Sequence, residues 1–449
     1  MTAVAVTPRP EPGRPRAWSF PAARRLELRN GMVALACHLP GRQVAAVHIG
    51  LDIPRDLEPA GLDGVAALAA SALREGTSTH DAEAFSEALE SRGATFGTQS
   101  GDAGIRVVLG VPVSRIAPAL ALVTEALAAP AFPAREVDRL AKQRLDAIAL
   151  ELADPGWRCA ETMMATLFDP SERIARPGEG TAETVARIGR DDVAAFWEAS
   201  GRPSTATVVV AGDLSGVDVE ELLESTLGSW HGPPAARVER AAPRTAPVQA
   251  VVVDRPGSVQ TEVRLARPGP NRHIATWARS QLAAYALGGT MSSRLMRRLR
   301  EEKGYTYGVH ASVSPLPTTG VLSISTAVET GVTAAAVADA LDEIRRLASG
   351  GVTDEERAFA ADAITSGPRR MESAHQLAGV LAGVVEERLP DDFVPRNLER
   401  LEAATTEEVS EQAGRDWEPD SLSLIAVGDA SVIAGPLRDA GFPDLRVES

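Results

Sequence analysis

VVVAGDLS, residues 208–215, is an apolar run ending in a Gly-Asp turn, and LIAVGDAS, residues 424–431, has the same shape. Each reads as a buried strand running into a tight turn. Gly212 and Gly428 stand 216 positions apart, as do Val193 and Val409 in the helix starts GRDDVAAFWEAS (189–200) and TTEEVSEQAGRDW (405–417). Further upstream, GIRVVLGVP (104–112) and GVLSISTAV (320–328) are predicted strands at the same offset. Helical patterns follow both, ALALVTEAL at 119–127 and AVADALDEI at 336–344. Four features at nearly one offset make an internal duplication the simplest reading of the chain.

The 449 residues, 44% hydrophobic and 24% charged, are those of a globular protein too long for one ordinary core. Each half opens with alternating strands, ARRLELRNGMVALACH (23–38) and VQAVVVDRP (248–256), and continues with long amphipathic helices. That order predicts an α+β fold: two homologous domains, each a mostly antiparallel sheet layered with helices. The expected organisation is a disordered tail over 1–22, rich in Pro and Arg, then domains at 23–230 and 248–449. A Pro/Ala/Arg-rich linker at 231–247 joins them.

A net charge of −15 without a Lys/Arg run argues against nucleic acid, because nothing offers counterion release along a phosphate backbone. No apolar run approaches 18 residues, and the start of the chain lacks an apolar signal core, so a cytoplasmic protein without membrane contact is expected. The two cysteines, Cys37 and Cys159, form no CxxC pattern and are expected as reduced, buried thiols.

All three tyrosines, Tyr285, Tyr305 and Tyr307, fall in or beside ALGGTMSSRLMRRLREEKGYTYGVHASVSP, residues 286–315. Gly288-Gly289 suggests a flexible turn, and Ser292 or Ser293 can cap the helix that follows. Leu295, Met296 and Leu299 form its apolar stripe, and Gly304 suits the left-handed residue that ends it. YTYGVHASV then alternates as a strand with Tyr305, Tyr307, Val309 and Val313 on one face. Such a corner can bring the Arg300 guanidinium and the Tyr307 phenol to one point, as donors to a carbonyl oxygen gaining negative charge. From residue chemistry alone, Arg300 equally serves as a helix C-terminal cation while Tyr307 packs.

The string LGGTMSSRLMRRLREEKGYTYGV, with the duplicated frame, resembles the insulinase/pitrilysin family of zinc peptidases over about residues 23–441. The resemblance implies half of a clam-shell chamber, and it assigns substrate-carbonyl binding to Arg300 and Tyr307. Active relatives carry HxxEH, two zinc-binding histidines and the glutamate that activates water, with a distant glutamate as third ligand. Aligned on Gly76-Thr77 within GLDGVAALAASALREGT (61–77), those positions fall on Ala67, Ala70 and Ser71, and the distant one on Ala147. No HxxEH occurs elsewhere, although His48 and His80 could in principle assemble a site in space. The resemblance therefore implies the zinc-less subunit of a heterodimeric peptidase, with no cofactor of its own and zinc in a homologous HxxEH-bearing partner. Its other reading is a non-catalytic structural or peptide-binding subunit. Gln260, in PGSVQTEV (256–263), is expected to be structural.

Overall fold

The computed structural model describes residues 18–448 and contains two six-stranded sheets. The first is built from β1 (Arg24–Glu27), β2 (Val33–His38), β3 (Val44–Leu51), β4 (Thr95–Gly101), β5 (Gly104–Pro112) and β6 (Thr207–Gly212), in the order β1-β2-β6-β3-β5-β4. The second contains β7 (Ala250–Asp254), β8 (Gln260–Gly269), β9 (Val309–Pro315), β10 (Gly320–Glu329), β11 (Ser423–Gly428) and β12 (Arg446–Glu448), ordered β12-β7-β11-β8-β10-β9. Five strands correspond one to one, β2 with β7, β6 with β11, β3 with β8, β5 with β10 and β4 with β9. The outermost strands differ: β1 runs antiparallel to β2, whereas β12 runs parallel to β7. Both sheets are mixed, because β2 pairs with β6, and β7 with β11, in parallel. The α+β class and the duplication stand.

Seven helices matter below: α1 (Val65–Ala72), α2 (Ala134–Ala153), α3 (Pro155–Leu167), α4 (Trp277–Gly288), α5 (Asp354–Arg369), α6 (Ala374–Glu386) and α7 (Phe393–Ala403). Residues 231–247 carry no helix and no extended strand, only a single bridge between Phe168 and Thr245. The tail expected over 1–22 lies outside the described residues through position 17; beyond it, Phe20 packs against buried side chains of β2, β6 and α6.

The central strands explain why VVVAG and SLIAVG lack polar alternation: all six residues of β6 and of β11 are buried. Val208 and Val210 point into the core of their own half, while Val209 and Ala211 meet α6 from the other half. In the second sheet the roles reverse. Leu424 and Ala426 face their own helices, while Ile425 and Val427 meet Cys159, Met163 and Leu167 of α3. Each half therefore lends one helix to the outer face of the other's sheet. Both cysteines are buried free thiols, and burial pushes the Cys159 thiol up to about 12.

The α6 joint contains a histidine pair. His48 of β3 is 3% exposed, and its Nε2 lies 3.2 Å from Nδ1 of His375, the second residue of α6. Burial lowers the His48 pKa to about 4, reinforced by His375 and Arg106, the latter ion-paired to Glu386. The folded state thus binds this proton less readily than the unfolded chain, so the contribution of neutral His48 is complete above about pH 6.5. It is lost progressively as pH falls from about 6.5 to 4, by about 3 kcal/mol in all. Urea unfolding of wild type and His48→Gln should diverge in pH dependence over that interval, and parallel curves would contradict the assignment.

Candidate functional site

Helix α1 begins after Gly64, whose φ of 102° is left-handed, and it lies against α2. Its sequence, VAALAASA, buries Val65, Ala66, Leu68, Ala69, Ala70 and Ala72, while Ala67 and Ser71 are half-buried. Ala147 is half-buried on α2. The two helices pack together, and at Ala67, Ala70, Ser71 and Ala147 they carry three methyls and one hydroxyl. Such a set does not fit a zinc ion, which takes imidazole, thiolate or carboxylate donors. Among the described residues no group of three or more His, Cys, Asp or Glu is arranged to hold a metal ion. His48 and His80 do not assemble one: His48 faces His375, and His80 Nδ1 lies 3.1 Å from Glu125 Oε1. Although burial alone would raise the Glu125 carboxyl, hydrogen bonds from Thr77, Thr79 and His80 hold it below the usual range.

Charge anchors the start of α1. Glu58 Oε1 accepts from the backbone N–H groups of Gly64 and Ala66 at 3.0 and 3.1 Å, capping the start of the helix. Glu58 Oε2 receives Arg173 Nε and Nη2 at 2.8 and 2.6 Å. Arg173 also donates to the carbonyls of Arg176, Pro177 and Gly178.

In the second half the expected helix over 294–303 is present, but it widens into a π-helix over Met296–Glu302. Leu295, Met296 and Leu299 are buried as the stripe predicts, and Gly304 closes the helix at φ 66°. Gly288 is needed for close approach: a Cβ there would stand 2.5 Å from the Ala311 backbone nitrogen on β9. That contact replaces the flexible turn expected of Gly288-Gly289. Ser293 does not cap the helix and donates instead to the Thr290 carbonyl at 2.6 Å. Gln260 opens β8 and is exposed.

Arg294 and Arg298 are tied in ion pairs with Glu356 and Asp339. Arg300 is half-buried, makes no ion pair among the described residues, and points its Nη1 at the Met291 sulfur, 3.2 Å away. Tyr307 departs from the expected strand. It is 90% exposed, in a bend two residues before β9, while Thr306 is buried and Tyr305 half-buried. The cause is a polar knot. Thr306 Oγ1 accepts from Gly308 N and donates to Gly308 O, and Thr326 of β10 donates to both Thr306 Oγ1 and Gly308 O. These bonds use the groups that would otherwise extend the β9 ladder, leaving the phenol in solvent. Arg300 and Tyr307 are not hydrogen-bonded to each other; Met291, which Arg300 touches, lines the same cleft as Tyr307.

Tyr307 and Met291 line a cleft of about 560 Å³ whose floor is the open face of the second sheet. Arg264, Ser325 and His310 form a row across β8, β10 and β9, with Glu262 at the next outward position. The same face of the sheet is apolar beneath α3, at Ala266 and Ile425, and turns polar where the helix leaves it uncovered. Burial raises the Glu262 carboxyl, with Arg264 partly opposing. Sequence reasoning missed these floor residues. Their signal was the polar alternation Gln260, Glu262, Arg264 against buried Thr261, Val263 and Leu265.

Comparison with known proteins bears on this arrangement. A family model described as "Peptidase M16 inactive domain" matches residues 187–363. An uncharacterized zinc protease of Mycobacterium leprae is 25% identical over 346 residues, 76% of this chain and 77% of that protein. A non-peptidase homolog of Helicobacter pylori is 24% identical over 248 residues, 55% of this chain and 57% of that protein. The crystal structure of a peptidase M16 inactive domain from Pseudomonas fluorescens superposes with a TM-score of 0.82 at 23% identity. The match covers 91% of this chain and 98% of that one.

Proposed function

We propose that this chain, which is similar to M16 peptidases and to their inactive domain, is the non-zinc subunit of a two-chain metallopeptidase. In that assembly it supplies half of the chamber wall and holds the carbonyl oxygen of the scissile peptide through Arg300 and Tyr307. Zinc, the attacking water and the general base belong to a homologous HxxEH-bearing partner. One observation carries the reading. Ala67, Ala70, Ser71 and Ala147 leave the packed α1–α2 pair without ligand chemistry there, while Arg300, with no ion pair among the described residues, touches Met291 in the lining of an open cleft bordered by Tyr307. A scaffold emptied at one site and still furnished at the other suits a division of labour between two chains. No helix among the described residues is long and apolar enough to cross a membrane, and we place the complex in the cytoplasm.

Reconstitution tests this directly. The chain is mixed with a homologous HxxEH-bearing chain from the same genome, and hydrolysis of an unstructured peptide library is followed by mass spectrometry. Turnover is expected only with both chains present and is lost on chelation. Cleavage by the chain by itself would overturn the assignment. A stable complex that binds peptides without cleaving them would instead support a structural or peptide-binding subunit.

A further inference from the structure

A cavity of about 590 Å³ lies where α6 bridges the two halves, apart from the Tyr307 cleft. Helices α4, α5, α6 and α7 enclose it, and Arg106 of β5 reaches in from the first sheet. Its apolar lining is Trp277, Ile364, Val384, Phe393, Leu398 and Leu401, and Asn397, donating to Gln281, adds a polar pair beside them. Its charged lining is Arg106, Arg272 and Glu387. Arg106 is held by Glu386 through two hydrogen bonds. Arg272 donates only Nη1, to Glu387 Oε1 at 2.9 Å, and the rest of its fork has no protein acceptor among the described residues. Burial pushes the Glu387 carboxyl up, with Arg272 partly opposing, so the carboxylate facing Arg272 is itself disfavoured.

The wall contributed by α6 carries Gly379 and Gly383, one helical turn apart. Glycine is a poor residue for a helix interior, and local packing does not require it at either position. A Cβ at Gly379 would meet only His48 Cε1 at 3.7 Å, and one at Gly383 only Arg272 Nη1 at 3.6 Å, both ordinary contacts. What the two glycines preserve is room. The volume is that of a small-molecule site, lined by both apolar and polar side chains.

We propose that this cavity binds a small monocarboxylate with an apolar body, its carboxylate paired with the open fork of Arg272 and its body lying on Trp277, Phe393 and Leu398. The planar guanidinium matches a carboxylate with two parallel hydrogen bonds. Because α6 also docks on the first sheet, an occupant bridging α6 to α4 and α7 stabilises the joint between the halves and raises the melting temperature.

The test titrates the full chain with decanoate, by calorimetry and thermal unfolding. Saturable one-to-one binding with a rise in Tm is expected, weakened at least tenfold in Arg272→Met. Gly383→Leu, which fills the cavity from the helix side, should abolish binding while circular dichroism stays native. Decanol, with the same body and no carboxylate, should bind at least tenfold more weakly. N-acetyl-leucyl-leucine and its C-terminal amide distinguish the source: competition by the free acid alone points to a peptide carboxy terminus, and competition by neither to a fatty acid. Failure of decanoate and the dipeptide acid to saturate, or equal binding by decanol or by Arg272→Met, would overturn the proposal. These measurements need no peptidase partner, so their failure leaves the two-chain reading untouched.

Discussion

Replacing Arg173 with methionine is expected to destabilise the fold by about 3–5 kcal/mol, the range for removing one partner of a buried ion pair. The side chain of Glu58 is fully buried and that of Arg173 is 5% exposed, so the carboxylate left behind has no access to water. Arg173 contributes more than charge: its hydrogen bonds to the carbonyls of Arg176, Pro177 and Gly178 tie that segment to the start of α1. Methionine fills similar volume but satisfies none of these acceptors, and each buried acceptor left unpaired adds to the loss. Lysine is expected to rescue little, since one ammonium cannot reproduce the fork. Urea unfolding followed by circular dichroism measures the effect, and a loss below 1 kcal/mol would show that the pair does not anchor α1. The double variant Glu58→Gln/Arg173→Met should lose less than the sum of the single changes, because the stranded charge disappears with its partner.

Arg300→Ala in the reconstituted complex is expected to lower kcat by about 10²–10³-fold, the cost of removing one preorganised donor from a developing oxyanion. KM should change much less, because the interaction strengthens as charge builds on the oxygen. Tyr307→Phe, which removes a single hydroxyl from an exposed position, is expected to act in the same direction and less severely. Neither change should unfold the chain. Arg300 makes no ion pair among the described residues, and the Tyr307 ring is almost wholly in solvent. Unchanged turnover in both variants, with the complex intact, would remove these residues from the mechanism.

Much of the frame was legible from local pattern. The paired strands at 104–112 and 320–328 and the helices near 119–127 and 336–344 lie where their periodicity places them. So do the helices starting near 190 and 406. That Ala67, Ala70, Ser71 and Ala147 carry no zinc-ligand side chain was equally plain, though which positions to ask about came from the resemblance. Tyr307 was misplaced for a physical reason. The alternation of YTYGV predicts a strand, but Thr326, twenty positions from Thr306, supplies hydroxyl hydrogen bonds that bend the chain first.

Strand and helix periodicity and the repeat are carried by local patterns along the chain, and the sequence by itself determined them. Which helix covers which sheet was decided only in three dimensions. The His48–His375 contact spans 327 positions and the Cys159–Ile425 contact 266. The polar cleft floor and the cavity beside Arg272 arise the same way, from side chains on separate elements whose meeting no local pattern encodes. Which sheet face takes α3 and which takes α6 is set by contacts between residues far apart in the chain, so only the folded geometry shows the exchange.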